Sequence, residues 1–354
     1  MSKAVKVIGN IGIGSGYRQA ATNIFECFEA SKVNCNFFYK DGSKANYKSS
    51  GLPSDVAFHI TAPPFNIVSE KYNIGYFYWE TGSFPSQWVK DINRLDEVWC
   101  PCYLMTKCLK KINYKGKIRV IPTPSRDKRF VKNLINFKIE DKMVVDDSCF
   151  KFYSIFQWNH RKGFDLLIKG YLEEFSEDEN VLLILKANPM LSGRHEFLSF
   201  IKKYINKVKK SIKKRRFPKI LILDYFLTNK EIDSLHEMAD CFVLPHRGEG
   251  WGMPIARAIQ YDNYIITTKF GGVSELLDDK SAHIINHVME PVRGMVWSNL
   301  YESSQQWARP SVSSLKENMR VIYDDRDFST NLNREAIKVK LSKEHFIKNI
   351  ETYL

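Results

Sequence analysis

The chain has 354 residues, of which 44% are hydrophobic and 13% aromatic, and a formal net charge of +13. That length suits two domains of ordinary size, and the apolar fraction is enough to bury a core in each, which excludes a largely disordered chain. No run of uncharged apolar residues is long enough to span a bilayer, and the opening residues read as a strand rather than a leader peptide. The seven cysteines form no CxxC pair and no zinc-type array, so they are expected to be reduced thiols of a cytoplasmic protein, with peripheral attachment to a membrane left open.

Apolar runs of strand length alternate with helical patterns along the chain. Residues 5–8 read as a strand leading to a glycine-rich turn, and 17–30 as a helix. Strands are expected at 33–39, 56–60, 74–78 and 97–100, with helices at 85–95 and 103–111 between them. Pro122-Thr123-Pro124 opens a charged stretch without clear periodicity, read as a linker over 126–150. The alternation then resumes: strands at 152–157, 181–186, 220–223, 241–244 and 264–267, and helices at 163–175, 196–215, 230–239, 254–261 and 274–277. This rhythm predicts an α/β chain of two Rossmann-like, doubly wound domains, over 1–125 and 151–328, with closing helices over 329–354. Ligands of such sheets bind beyond the carboxyl ends of the strands, so the cleft between the domains is the expected site.

The densest local signal is Pro245-His246-Arg247-Gly248-Glu249-Gly250-Trp251-Gly252-Met253-Pro254. A strand ends, three glycines fall within five residues, and a helix opens with proline in its first turn. Glycines allow close backbone approach, and a helix start offers free amides and partial positive charge, which suits a diphosphate. Glu249 in that turn is placed to accept hydrogen bonds from sugar hydroxyls.

Gly248-Glu249-Gly250-Trp251-Gly252 resembles the "GEGWG" turn of a group within glycosyltransferase family 4. Trp158-Asn159-His160-Arg161-Lys162-Gly163-Phe164-Asp165, Gly271-Gly272-Val273-Ser274-Glu275 and Trp307-Ala308-Arg309-Pro310-Ser311-Val312 are similar to further segments of that group. Gly14-Ser15-Gly16-Tyr17, Trp79-Glu80-Thr81 and Asp96-Glu97-Val98-Trp99 extend the resemblance into the first domain. It implies the GT-B architecture, transfer of a sugar from a nucleotide-diphosphate sugar, retention of anomeric configuration, and no metal or other cofactor. It further implies a hexosyltransferase with Glu249, Lys162 and His59 as catalytic residues. Gly14, Gly16, Gln157, Lys162, Gly250, Trp251, Gly252, Met253 and Arg257 would bind the donor, and Glu80 and Tyr17 would lie on the acceptor side.

Two positions depart from the family pattern. Arg257 stands where a second glutamate is expected to hold the ribose, and Gln157 stands where a cation is expected five residues before Lys162. The expectation drawn from this pair is that Arg257 supplies the phosphate contact that Gln157 no longer makes. On that reading, the double change Gln157→Arg with Arg257→Glu preserves activity.

Ten Lys or Arg and no acid lie between Lys202 and Lys219, which leaves only +3 for the rest of the chain. An anionic lipid surface and nucleic acid both match such a segment, and a glycan, a lipid or a modified nucleic acid each suits the acceptor. Two rivals share the scaffold: a non-catalytic nucleotide-sugar binder, and a basic interaction protein that works through this segment.

Overall fold

The computed structural model describes residues 4–10, 16–69, 71–129, 148–188, 194–295, 297–325 and 334–354. Gly14 and most of the expected linker lie outside the described residues. The first half contains β1 (Ala4–Gly9), α1 (Gly16–Ala30), β2 (Cys35–Tyr39), β3 (Ser54–Ile60), β4 (Tyr72–Tyr76), α2 (Val89–Ile92), β5 (Glu97–Cys100), α3 (Tyr103–Lys111) and β6 (Lys117–Val120). Its six strands form one parallel sheet in the order β2-β1-β3-β4-β5-β6.

The second half contains β7 (Phe150–Gln157), α4 (Phe164–Glu174), β8 (Val181–Asn188), α5 (Arg194–Ser211), β9 (Lys219–Leu223), α6 (Asn229–Met238), β10 (Cys241–Leu244), α7 (Met253–Gln260), β11 (Tyr264–Thr268), α8 (Val273–Leu276) and β12 (His283–Ile285). These strands form a second parallel sheet in the order β12-β11-β10-β7-β8-β9. The strand order reverses beside β7 and β10, so the loops that leave those two strands flank the crevice where such sheets take ligands. Both sheets are covered by helices, which explains the near-continuous apolar runs such as Val181-Leu182-Leu183-Ile184-Leu185. The expected fold class, two doubly wound α/β domains, is what the chain adopts.

An antiparallel hairpin, β13 (His287–Pro291) and β14 (Gln306–Pro310), follows, then α9 (Val312–Asp325), α10 (Glu335–Leu341) and α11 (Lys343–Tyr353). The final helix returns to the first sheet. Phe346 packs against Tyr76 at 5.9 Å and Trp99 at 6.4 Å between ring centroids, and the Arg119 guanidinium lies 3.6 Å from the Tyr353 ring.

Several expected boundaries move for identifiable reasons. The strand expected at 74–78 ends at Tyr76, because the Tyr17 hydroxyl takes both backbone groups of Tyr78: it accepts from the amide at 2.9 Å and donates to the carbonyl at 3.0 Å. The helix expected to reach residue 215 stops at Ser211, and Lys214 turns back to donate to the carbonyls of Leu172, Glu173 and Phe175 at the end of α4. The helix expected over 85–95 is a single tight turn followed by α2, its first amide held by Glu302 at 2.7 Å. α6 opens with a reciprocal cap: Glu231 donates its amide to Thr228 Oγ1 at 3.3 Å and accepts from the Thr228 amide at 2.6 Å. All seven cysteines are buried, and burial pushes the thiols of Cys27, Cys35, Cys102 and Cys108 up to about 12. No described helix is long and apolar enough to cross a membrane.

Candidate functional site

Two loops of the second sheet, after β7 and after β10, are laced together at its carboxyl edge. Arg247 makes a two-pronged ion pair with Asp165 at 2.8 and 2.7 Å and donates to the His160 carbonyl at 2.6 Å. Its own amide donates to the Arg161 carbonyl at 2.7 Å, and Arg161 in turn donates to the Gly248 carbonyl at 2.7 Å. This lattice presents Lys162 to Glu249, to whose Oε2 its ammonium donates a hydrogen bond. Arg161 stands 3.8 Å from the same carboxylate oxygen. Arg247 and Asp165 were not singled out as site residues in the sequence; the signal for them was their place inside the two family-like segments.

The first domain closes over this pair. Glu80 approaches Arg161 Nε at 3.0 Å and accepts a hydrogen bond from the Tyr301 hydroxyl. A side chain at Gly248 would place its Cβ 2.2 Å from the Glu80 carbonyl oxygen, and one at Gly250 would come within 2.9 Å of Tyr78 Cβ. The close approach expected for a ligand is therefore used, in this arrangement, by the other domain's backbone. Gly252 caps α7 at φ +91°, a conformation that side chains other than glycine seldom adopt. The hairpin and its loop bind the domains further: Ser86 Oγ donates to Glu302 at 2.7 Å, the Gly82 amide donates to the Gln306 carbonyl at 2.8 Å, and Tyr301 stacks on Trp79 at 5.3 Å.

Burial alone would raise the Glu249 carboxyl, but Lys162 and Arg161 outweigh it and hold it at about 2. Burial holds the neighbouring His246 imidazole at about 3, against the pull of Glu249 and with the help of the two cations. Neither ring nitrogen of His246 makes a well-formed hydrogen bond, nor does the indole nitrogen of buried Trp251. Burial also lowers the pKa of His236 and His59. In each histidine the unfolded chain takes up the proton first, so the stabilisation is complete above about pH 6.5 and is lost as the pH falls below it. Chemical-denaturant melts should therefore show unfolding free energy declining from pH 6.5 towards 4, by up to roughly 1.4 kcal/mol per pH unit for each such histidine. In His246→Gln that slope should be shallower; an unchanged slope would exclude His246 as a contributor.

Three of the expected site residues are engaged within the fold. Arg257 does not face a phosphate site. Its guanidinium donates to Asp233 Oδ1 at 2.9 and 2.8 Å, to the carbonyls of Arg126 and Asp127 at 2.5 and 3.0 Å, and to Gln260 at 2.6 Å. Arg126 joins the same carboxylate at 3.2 Å, so position 257 ties the chain leaving the first sheet to the second domain. His59 is not in the cleft either. It is buried within β3, with Nε2 3.0 Å from Asn73 Oδ1 and Phe65 alongside, a satisfied core histidine. Tyr17 lies beside the acceptor-side segment, but its hydroxyl is engaged with Tyr78 and acts as a bracket for Glu80. Gly16 opens α1 with open space around it, Met253 opens α7, and Gln157 ends β7 exposed.

One residue near the site escaped the sequence reading. Lys186 interrupts an apolar strand, is buried, and donates to Asn188 Oδ1 at 2.5 Å. Its register partner is Ile155, two residues before Gln157, so Lys186, Asn188 and Gln157 belong to the same face of adjoining strands. Burial lowers its pKa to about 8. The signal was a lone charge in Leu183-Ile184-Leu185-Lys186-Ala187. Among the described residues no group of three His, Cys, Asp or Glu side chains is placed to hold a metal ion.

A family model described as glycosyl transferases group 1 matches residues 138–290, the stretch that contains both laced loops. No curated protein sequence matches the chain. Among solved structures the chain is similar to Anabaena Alr3699/HepE in complex with UDP and glucose, at 12% identity and a TM-score of 0.66, covering 99% of this chain and 98% of that one. It is equally similar to the sucrose-phosphate synthase of Thermosynechococcus elongatus, at 10% identity, TM-score 0.66 and the same coverage. A glycosyltransferase from Rickettsia africae stands at 13% identity and TM-score 0.66, again over 99% and 98% of the two chains. These likenesses establish the shared frame: the chain has the two-domain GT-B fold of glycosyltransferases, and its second domain carries the match to glycosyl transferases group 1.

Proposed function

We propose that this chain transfers a sugar, a hexose by the resemblance of its glycine turn, from a nucleotide-diphosphate sugar to an acceptor hydroxyl in the cleft. Retention of anomeric configuration and independence of metal belong to the same proposal. The observation that carries it is the largely enclosed Lys162–Glu249 pair with Arg161 beside it, at the carboxyl edge of the second sheet and over the start of α7. Negative charge develops on a departing diphosphate, and fixed cations and amides stabilise it without having to reorganise. Lys162 and Arg161 supply the cations, and the amides of Gly250, Trp251 and Gly252, which make no backbone hydrogen bond among the described residues, supply donors.

With no donor present, the cations are neutralised by the protein's own carboxylates, Glu249 on Lys162 and Glu80 on Arg161. An incoming diphosphate takes the place of Glu80, which is then free to face the acceptor, while Glu249 turns to the donor sugar. That exchange requires the 78–80 segment to draw back from Gly248 and Gly250, so donor entry accompanies a parting of the domains. Lys186 takes the place of the cation missing at Gln157. The UDP and UDP-glucose complexes of the HepE structures support a uridine donor as the first to test.

The test is thermal melting against UDP-, GDP-, ADP-, dTDP- and CMP-sugars, followed by donor hydrolysis. Ligand at about a hundred times its dissociation constant adds roughly 2.7 kcal/mol of stability, a shift that is readily seen. A response to one nucleotide family with slow hydrolysis supports the enzyme; a response without hydrolysis favours the non-catalytic binder, and absence of both favours the basic interaction protein. Lys186→Met should weaken binding of the responding nucleoside diphosphate about tenfold, and its monophosphate less. Equal losses for the two would place Lys186 away from the β-phosphate.

A further inference from the structure

We propose that the outer face of α5 and the turn that follows it form a docking surface for a bilayer rich in anionic headgroups. α5 has already used its apolar side: Phe197, Ile201 and Ile205 are buried against its own domain. The opposite side carries Lys202, Lys203, Lys207 and Lys210, all exposed, and the chain beyond the helix adds exposed Lys213, Arg215 and Lys219. Three cations of the segment have work inside the fold. Lys214 caps α4, Arg216 lies 3.6 Å from Glu177, and Lys209 sits 5.4 Å from the Phe217 ring. The other seven have no acid within ion-pair distance among the described residues.

Such an arrangement works against the fold. Lys203, Lys207 and Lys210 succeed one another at helical spacings of four and three, where like charges repel. The helix dipole favours cations only in the last turn, at Lys209 and Lys210. The face is therefore complementary to something outside the chain, and that partner carries distributed negative charge.

The composition of the face favours a bilayer over nucleic acid. Six of the seven unpaired cations are lysines, point charges suited to a diffuse anionic surface, rather than arginines, whose forks match phosphates and base edges. No aromatic row interleaves with them for base stacking. An exposed apolar side chain adjoins the face instead: Phe200, three residues before Lys203 on α5, is 53% exposed. A phenylalanine beside lysines can enter the headgroup region while the lysines hold the anions. The proposal does not depend on which nucleotide sugar, if any, occupies the cleft.

The test is co-sedimentation of the full chain with phosphatidylcholine vesicles, with and without phosphatidylglycerol, at low and raised salt. Binding is expected only to the phosphatidylglycerol vesicles and should weaken with salt. The variant with Lys202, Lys203, Lys207 and Lys210 all changed to Gln should bind at least about tenfold less, with its melting temperature retained. Phe200→Ser should weaken binding a few-fold. Equal binding to neutral vesicles, no binding to either kind, or full binding by the four-lysine variant would each overturn the proposal. So would oligonucleotide binding in place of vesicle binding, since it would assign the face to nucleic acid.

Discussion

Lys162→Ala protein is expected to lose the melting shift given by its nucleotide sugar and to turn over at least about a hundredfold more slowly. The ammonium is largely enclosed, is held in place by Glu249, and is the cation that the lattice of Arg247, Asp165 and the His160 carbonyl positions. Its removal deletes charge at the place where the departing diphosphate is stabilised. It also leaves the Glu249 carboxylate with Arg161 alone at 3.8 Å, and breaking a buried pair in this way costs several kcal/mol. Folding must therefore be read separately. Lys162→Arg keeps the charge and should retain the fold and part of the melting shift. A full nucleotide-induced shift in Lys162→Ala, with the protein folded, would remove Lys162 from the donor site and the proposal with it.

Arg257→Glu is expected to destabilise the chain by roughly 3–5 kcal/mol, without any gain in turnover. The family pattern places a carboxylate at this position, yet here the substituted carboxylate would sit against buried Asp233 and would leave the carbonyls of Arg126 and Asp127 without their donor. Two carboxylates at that distance within the protein repel, and one must take up a proton. Adding Gln157→Arg does not relieve this, so the double change is expected to lose stability rather than preserve activity. Urea melts of Arg257→Glu and of the double variant decide the matter. Melts indistinguishable from the parent would mean that Arg257 is free to serve the cleft after all.

The alternation of strands and helices was legible because each doubly wound half repeats a local rule, in which an apolar run of strand length is followed by a period of 3.6. Elements outside that rule escaped. β6 is four residues on an edge, and the β13–β14 hairpin with its long loop carries polar residues such as Glu302 and Gln305 that gain meaning only opposite the first domain. The helical register of α5 was legible, whereas its end was set by Lys214 reaching carbonyls about forty residues back in the chain.

The sequence by itself determined the two α/β halves, the glycine turn around Glu249, and the partner segment that carries Lys162, because these depend on residue type and spacing along one stretch of chain. Tertiary structure alone decided where charged side chains spend their charge. Arg257 and His59 stood at positions where a family pattern expects donor contacts, and Asp233 and Asn73, brought in from other elements, occupy them instead. Lys186 stood at no such position, and only the register of β7 against β8 brings it beside Gln157. A guanidinium or imidazole satisfies the nearest buried partner, and that partner is fixed by the packing of distant segments rather than by its neighbours in sequence.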